Sequence, residues 1–177
     1  MQLRLTRKLM AAALLLGGCL LGNPAFAGEP AAGLSGAEQT RYLAELKRRY
    51  QTEDERKALL AHSNELLQAH ALRAAYQVGQ AQRQDLFYQL RLGAPGELLL
   101  CEETRSAQGT DIAVRNQRLV LFGVDPFIRY DCPQNGISCV LFNPADGSPL
   151  LSIVRDHQGA AELAKALSFL IRNLQKG

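Results

Sequence analysis

Apolar and polar positions along the chain divide it into a leader, a helical third, a strand-rich middle and a closing helix. Residues 9–21 are nearly unbroken in apolar side chains. Residues 28–35 (GEPAAGLS) are small and flexible and read as a linker. Helical spacing then sets in. Ser35 and Glu38 stand at capping-box separation, and Leu43, Leu46 and Tyr50 follow at helical intervals. Thr52-Glu53-Asp54-Glu55 repeats the box, with acids in the first turn where the helix dipole favours them. Two helices with a tight break near Gln51 are expected.

The second helix is expected to be long. Its small and apolar stripe runs Leu60, Leu67, Ala71, Ala74, Val78 and Ala81, with Arg, Gln and Glu opposite. Residues 86–92 (LFYQLRL) fit both periods: they alternate like a strand, yet Leu86, Phe87 and Leu90 also suit a helix. Gly93 followed by Pro95 resembles a helix C-terminus, which favours helix. After Gly96 the pattern turns to strands at 97–103, 110–115, 118–124, 127–132, 137–142 and 150–155. Short turns between them cannot carry parallel crossovers, so the sheet should be mostly antiparallel. From Gly159 to Lys176 the helical period returns. Leu163, Leu167, Leu170, Ile171 and Leu174 form the apolar face, and Glu162, Lys165, Arg172 and Lys176 face water. Asp156 reads as the N-cap of this helix.

The expected fold is a single α+β domain over 36–177. A helical hairpin occupies 36–92, an antiparallel sheet of five or six strands 97–155, and a C-terminal helix 159–176 packs on that sheet.

The leader changes the reading of charge and compartment. Arg4, Arg7 and Lys8 precede the apolar run, and Ala25-Phe26-Ala27 places small residues where a signal peptidase accepts them. The run is too short for a bilayer-spanning helix, which needs about 20 residues. The expected secretory signal is therefore 1–27, cut after Ala27, and the compartment periplasmic or extracellular. Leu16-Gly17-Gly18-Cys19 resembles a bacterial lipobox and offers the alternative of a lipoprotein anchored at Cys19. The apolar run continues past Cys19 through Leu21, and Asn23-Pro24 breaks it just before Ala27, which favours the later cut.

The full chain has 20 Lys+Arg against 17 Asp+Glu. Arg4, Arg7 and Lys8 leave with the leader, so the mature chain carries 17 of each sign. A neutral chain gives no reason to propose nucleic acid or an acidic membrane as partner.

The chemistry that remains centres on cysteine. In Cys132-Pro-Gln-Asn-Gly-Ile-Ser-Cys139 the Asn135-Gly136 pair predicts a type I′ hairpin turn. Counting outward sets Cys132 opposite Cys139 in a hydrogen-bonded pair, with Cα atoms about 5.5 Å apart. Ile128, Tyr130 and Leu141 share their face. An exported protein should oxidise the pair, stabilising the fold by about 2–2.5 kcal/mol. Cys101 is left as a free thiol, read either as a buried small hydrophobe or as a reactive group. A zinc site from Cys101, Cys132, Cys139 and His157 lacks the close Cys-x-x-Cys spacing.

His62 and His70 lie too far apart on one helix to grip a metal together, and Glu65 beside His62 reads as solvated. Glu102 and Glu103 read as exposed strand residues. Nucleophile elbow, phosphate loop and dinucleotide fingerprint are all missing, so no catalytic, cofactor or metal residues are assigned. The expectation is a non-catalytic envelope protein that binds another envelope protein, or itself, through the helical part. It would serve as an accessory or adaptor of an envelope, secretion or conjugation assembly. The alternative is a periplasmic thiol-dependent or small-ligand-binding protein using Cys101.

Overall fold

The computed structural model describes residues 36–108 and 111–177. The expected leader, its cuts at Ala27 and Cys19, the linker and Ser35 lie outside the described residues. Among the described residues three α-helices, a single 3-10 turn at Ala74–Tyr76 and two small antiparallel sheets make an α+β fold. Helices α1 (Gly36–Arg49) and α2 (Glu55–Ala69) come first. Strands β1 (Gln84–Leu92), β2 (Glu97–Ser106) and β3 (Ile112–Val120) form one meander. A second meander joins β4 (Tyr130–Asp131), β5 (Ser138–Phe142) and β6 (Pro149–Val154). Helix α3 (His157–Leu174) closes the chain.

α2 lies against β1, α3 against β4 and β5, and the two helices pack on each other. Leu163, Leu167, Leu170, Ile171 and Leu174 are all buried, as the period of α3 predicts. They meet Leu59 and Leu67 of α2, Leu98 and Leu100 of β2, and Leu141 and Ile153 of the second sheet in one core. Asp156 caps α3, accepting from Gln158 N and Gly159 N. Among the described residues no helix is long and apolar enough to cross a membrane.

Several expectations are corrected. The expected single sheet is two three-stranded sheets, stitched by residues 71 and 72. Ala71 bridges to Ile153 of β6 and Leu72 to Leu86 of β1. α2 therefore stops at Ala69, because the chain beyond is recruited as a strand partner. The expected stripe from Leu60 to Ala81 is not a helix face: Leu67 and Ala71 are buried, and Val78 is 79% exposed. Residues 86–92 are strand, since β2 supplies a ladder partner for every one of them. Gly93 to Gly96 is the β1–β2 turn rather than a helix end. Segments 110–115 and 118–124 merge into one strand over 112–120, and the expected strand 127–132 shrinks to two residues. The cap of α2 is Asp54, not Thr52, with Asp54 Oδ1 accepting from Arg56 N and Lys57 N.

The 132–139 hairpin keeps the predicted register by a different turn. Tyr130 pairs with Leu141 and Asp131 with Val140, which sets Cys132 opposite Cys139. The turn is centred on Gln134-Asn135, with Gly136 N donating to Pro133 O at 3.0 Å. Neither Asn135 nor Gly136 has positive φ, so the type I′ expectation fails. Phe142 N donates to Arg129 O, and alternation from that pair puts the cysteines in a non-hydrogen-bonded pair. Their Cα atoms are 4.2 Å apart, closer than the 5.5 Å expected of a hydrogen-bonded one.

Candidate functional site

Two places concentrate polar side chains beyond what the fold requires. The first is the junction of the three helices. His62, buried on α2, sets Nδ1 3.0 Å from the Tyr50 hydroxyl and Nε2 3.1 Å from Glu162 Oε1 of α3. Glu162 also accepts from the Tyr42 hydroxyl at 2.7 Å and pairs with Lys165, whose ammonium sits 4.4 Å from the Tyr42 ring centre. Tyr50 donates to Glu65, which in turn pairs with Arg49.

Burial pushes the Glu162 carboxyl up, but hydrogen bonds from His62, Lys165 and Tyr42 outweigh it and hold the group at about 2. Burial, and then the bond to Glu162, push the Tyr42 hydroxyl up. Burial, and then the bond to Glu65, push Tyr50 up to about 12. The junction thus presents a locked carboxylate and two reluctant phenols, with no nucleophile in the chain of contacts. It ties α1 to α2 and α3. Glu162 and Lys165, expected to face water, are half-buried here. The sequence signal for Glu162 was weak, because its partners lie on other helices.

The second place is the outward face of the β1–β2–β3 sheet. Strand alternation sends Leu86, Tyr88, Leu90, Leu98, Leu100 and Leu119 inward to the core. It sends Phe87, Gln89, Arg91, Leu99, Cys101, Glu103, Arg118 and Val120 outward. Cys101 occupies the middle strand, with Gln89 on one side and Asn116 on the other. It is a free, half-buried thiol, not the fully buried small hydrophobe that one of the two expectations gave. It lines two shallow clefts. One, of about 400 Å³, also takes in Arg73, Phe87, Glu103 and Arg105; the other, of about 390 Å³, takes in Arg91, Leu99, Val114 and Arg118. The Arg73 and Arg105 guanidiniums each lie 5.2 Å from the Phe87 ring centre.

The zinc alternative does not assemble. Cys132 and Cys139 are paired with each other in the second sheet, and Cys101 faces outward from the first. Among the described residues no three His, Cys, Asp or Glu side chains are placed to hold a metal ion. His70 is held by Asp156, Nδ1 to Oδ2 3.3 Å, and packs on Gly159. Glu102, expected to be a bare strand residue, pairs with Arg115 at 2.8 Å.

Ile112, Val114 and Val120 of β3, with Phe122 just beyond it, are each more than half exposed. One sheet therefore carries most of the large apolar side chains that the described residues leave in water, a grouping that marks interaction surfaces. No protein-family model matches the chain, and no curated protein or solved structure is significantly similar to it.

Proposed function

We propose that the chain is an exported, non-catalytic envelope protein that works by binding protein, as an accessory or adaptor of an envelope, secretion or conjugation assembly. The carrying observation is the exposed apolar group on and beside β3, with Ile112 59% and Val114 58% exposed. The leader pattern of Arg4, Arg7, Lys8 and Ala25-Phe26-Ala27 supports export. The Cys132–Cys139 pair at disulfide separation is compatible with it. The binding surface in this reading is the outward sheet, not the helical part, whose apolar side chains turn to the core.

Two measurements test it. The intact mass of the exported protein, taken without reduction after thiol labelling, should start at Gly28 and carry one label, on Cys101. A mass starting at a lipidated Cys19 would overturn the free soluble form. A photo-cross-linking residue at position 99 should join the chain to a defined envelope protein or to itself in living cells. Absence of any protein adduct would sink the binding reading.

A second reading is favoured by one observation: Cys101 lines both clefts of the outward face. In it the thiol handles a small ligand. A Cys101→Ser strain with unchanged phenotype removes that reading.

A further inference from the structure

The two sheets treat their edges unequally. Gly93 N donates to Glu97 O, so by alternation the even residues of β1 aim their backbone groups away from β2. Those of Gln84, Leu86 and Leu90 are met. Leu86 N donates to Leu72 O at 2.9 Å, and Leu90 N to Asn64 Oδ1 at 2.7 Å, while Asn64 Nδ2 returns a bond to Leu90 O at 3.0 Å. Gln84 N donates to the Gln77 side chain at 3.3 Å. The free edge of β6 is met likewise, by His70 O at Val154 N and by the Tyr88 hydroxyl at Ser152 N. β4 is two residues long, which limits its own edge.

Among the described residues β3 is the exception. Leu121 N donates to Gly96 O and Ser106 N to Asp111 O, so odd residues of β3 bond β2. Ile112, Val114, Asn116, Arg118 and Val120 therefore aim their N–H and C=O groups off the sheet. The strand has nine residues, against a usual five or six, and all but Gln117 and Leu119 are exposed. Natural edges this long are normally guarded by unpaired charge, proline or a bulge. The two arginines of β3 are each held by a glutamate of its own neighbour, Arg115 by Glu102 and Arg118 by Glu97.

We propose that β3 pairs antiparallel with β3 of a second copy of this chain, about a two-fold axis at Asn116, joining two three-stranded sheets into one. The inference rests on the protein-binding reading above and names its occupant. The register follows from charge and length. Centring on Asn116 sets Ile112 against the partner's Val120, Val114 against the partner's Arg118, and Arg115 against the partner's Gln117. All nine residues pair, and no like charges meet. Centring on Arg115 would oppose that arginine to itself, which is unfavourable. Centring on Gln117 would leave Ile112 and Ala113 without strand partners.

Sedimentation of the exported chain carrying Cys101→Ser, without reductant so that the Cys132–Cys139 pair stays closed, should report a dimer at micromolar concentration. Val114→Lys puts like charge against the partner's Arg118 at two symmetric places and should weaken association about tenfold. Val114→Glu should retain it. Both positions are exposed, and circular dichroism checks that the fold is intact. In a Cys101→Ser background, Asn116→Cys should link copies readily, because its mate sits directly opposite. Ile112→Cys should not.

A monomeric chain overturns the proposal, as does a dimer indifferent to Val114→Lys or one in which the two cysteine variants link equally. If the chain is monomeric while position 99 still cross-links to another envelope protein, β3 takes a foreign strand. The dimer then falls and the binding reading stands. A dimer with the expected register but no foreign adduct leaves the dimer standing and removes the adaptor role.

Discussion

His62 and Glu162 are 100 residues apart in sequence, and His62 Nε2 lies 3.1 Å from Glu162 Oε1. The contact joins α2 to α3. Tyr42 of α1 and Tyr50 just past its end extend the contact to the first helix, whose one fully buried residue is Leu46.

Glu162 makes the stability of the fold sensitive to acid. Its carboxyl is held at about 2, against 4.5 for a free glutamate. A depressed folded value means the contribution is whole above pH 4.5 and is lost as pH falls toward 2. The side chain is 31% exposed, and after solvent screening the contribution is about 1–2 kcal/mol. Glu162→Gln should cost about that much at pH 7 and almost nothing at pH 2. Urea unfolding across the range checks it. An equal loss at both pH values would show that packing, not ionisation, is what the substitution removes.

Gly159 and His70 predict a change of sign. A β-carbon at 159 would fall 2.5 Å from His70 Cε1 and 2.7 Å from its Nδ1. Alanine is otherwise better than glycine in a helix by about 1 kcal/mol. In the native background Gly159→Ala should destabilise by about 1 kcal/mol, because His70 must swing away from Asp156. In a His70→Ala background the same change should stabilise by roughly 0.5–1 kcal/mol. Thermal unfolding of the four chains forms a double-mutant cycle, and additive effects would refute the contact.

Legibility in the sequence followed the range of the contacts. α3 was readable because its apolar period and its Asp156 cap are local, and the cysteine register because two paired strands and a short turn define it. The end of α2 was not readable. Nothing near Ala69 stops a helix, and the stop comes from β6, where Val154 N donates to His70 O at 2.8 Å. Residues 86–92 satisfied both periods, and only β2 decided between them. Asn116-Gln117 read as a short turn between two strands, 110–115 and 118–124, because the pair is polar and interrupts the apolar pattern. On an open edge that polarity costs little, and the strand runs through it. The helix junction was invisible because Tyr42, His62 and Glu162 converge from three different helices, with Tyr50 at the end of the first, and no local pattern in the sequence links them.

Asn64 offers the sharpest local test of how the fold manages its edges. Its side chain serves Leu90 as a neighbouring strand would, accepting from N at 2.7 Å and donating to O at 3.0 Å. Leu90 itself is buried, at 3% exposure, so water cannot easily replace either bond. Asn64→Ala leaves a donor and an acceptor unpaired and should cost about 2 kcal/mol. Asn64→Asp keeps the acceptor for Leu90 N but sets a carboxylate oxygen against the Leu90 carbonyl, so it should recover only part of the loss. Exposure of the helix surface alone would predict almost no effect from either change. Hydrogen exchange separates the two accounts. The Leu90 amide should lose protection in Asn64→Ala while the Leu100 amide, bonded within the sheet, keeps its own relative to global unfolding. Equal slowing or equal quickening at both amides would mean that Asn64 acts on the whole core and does not stand in for a strand.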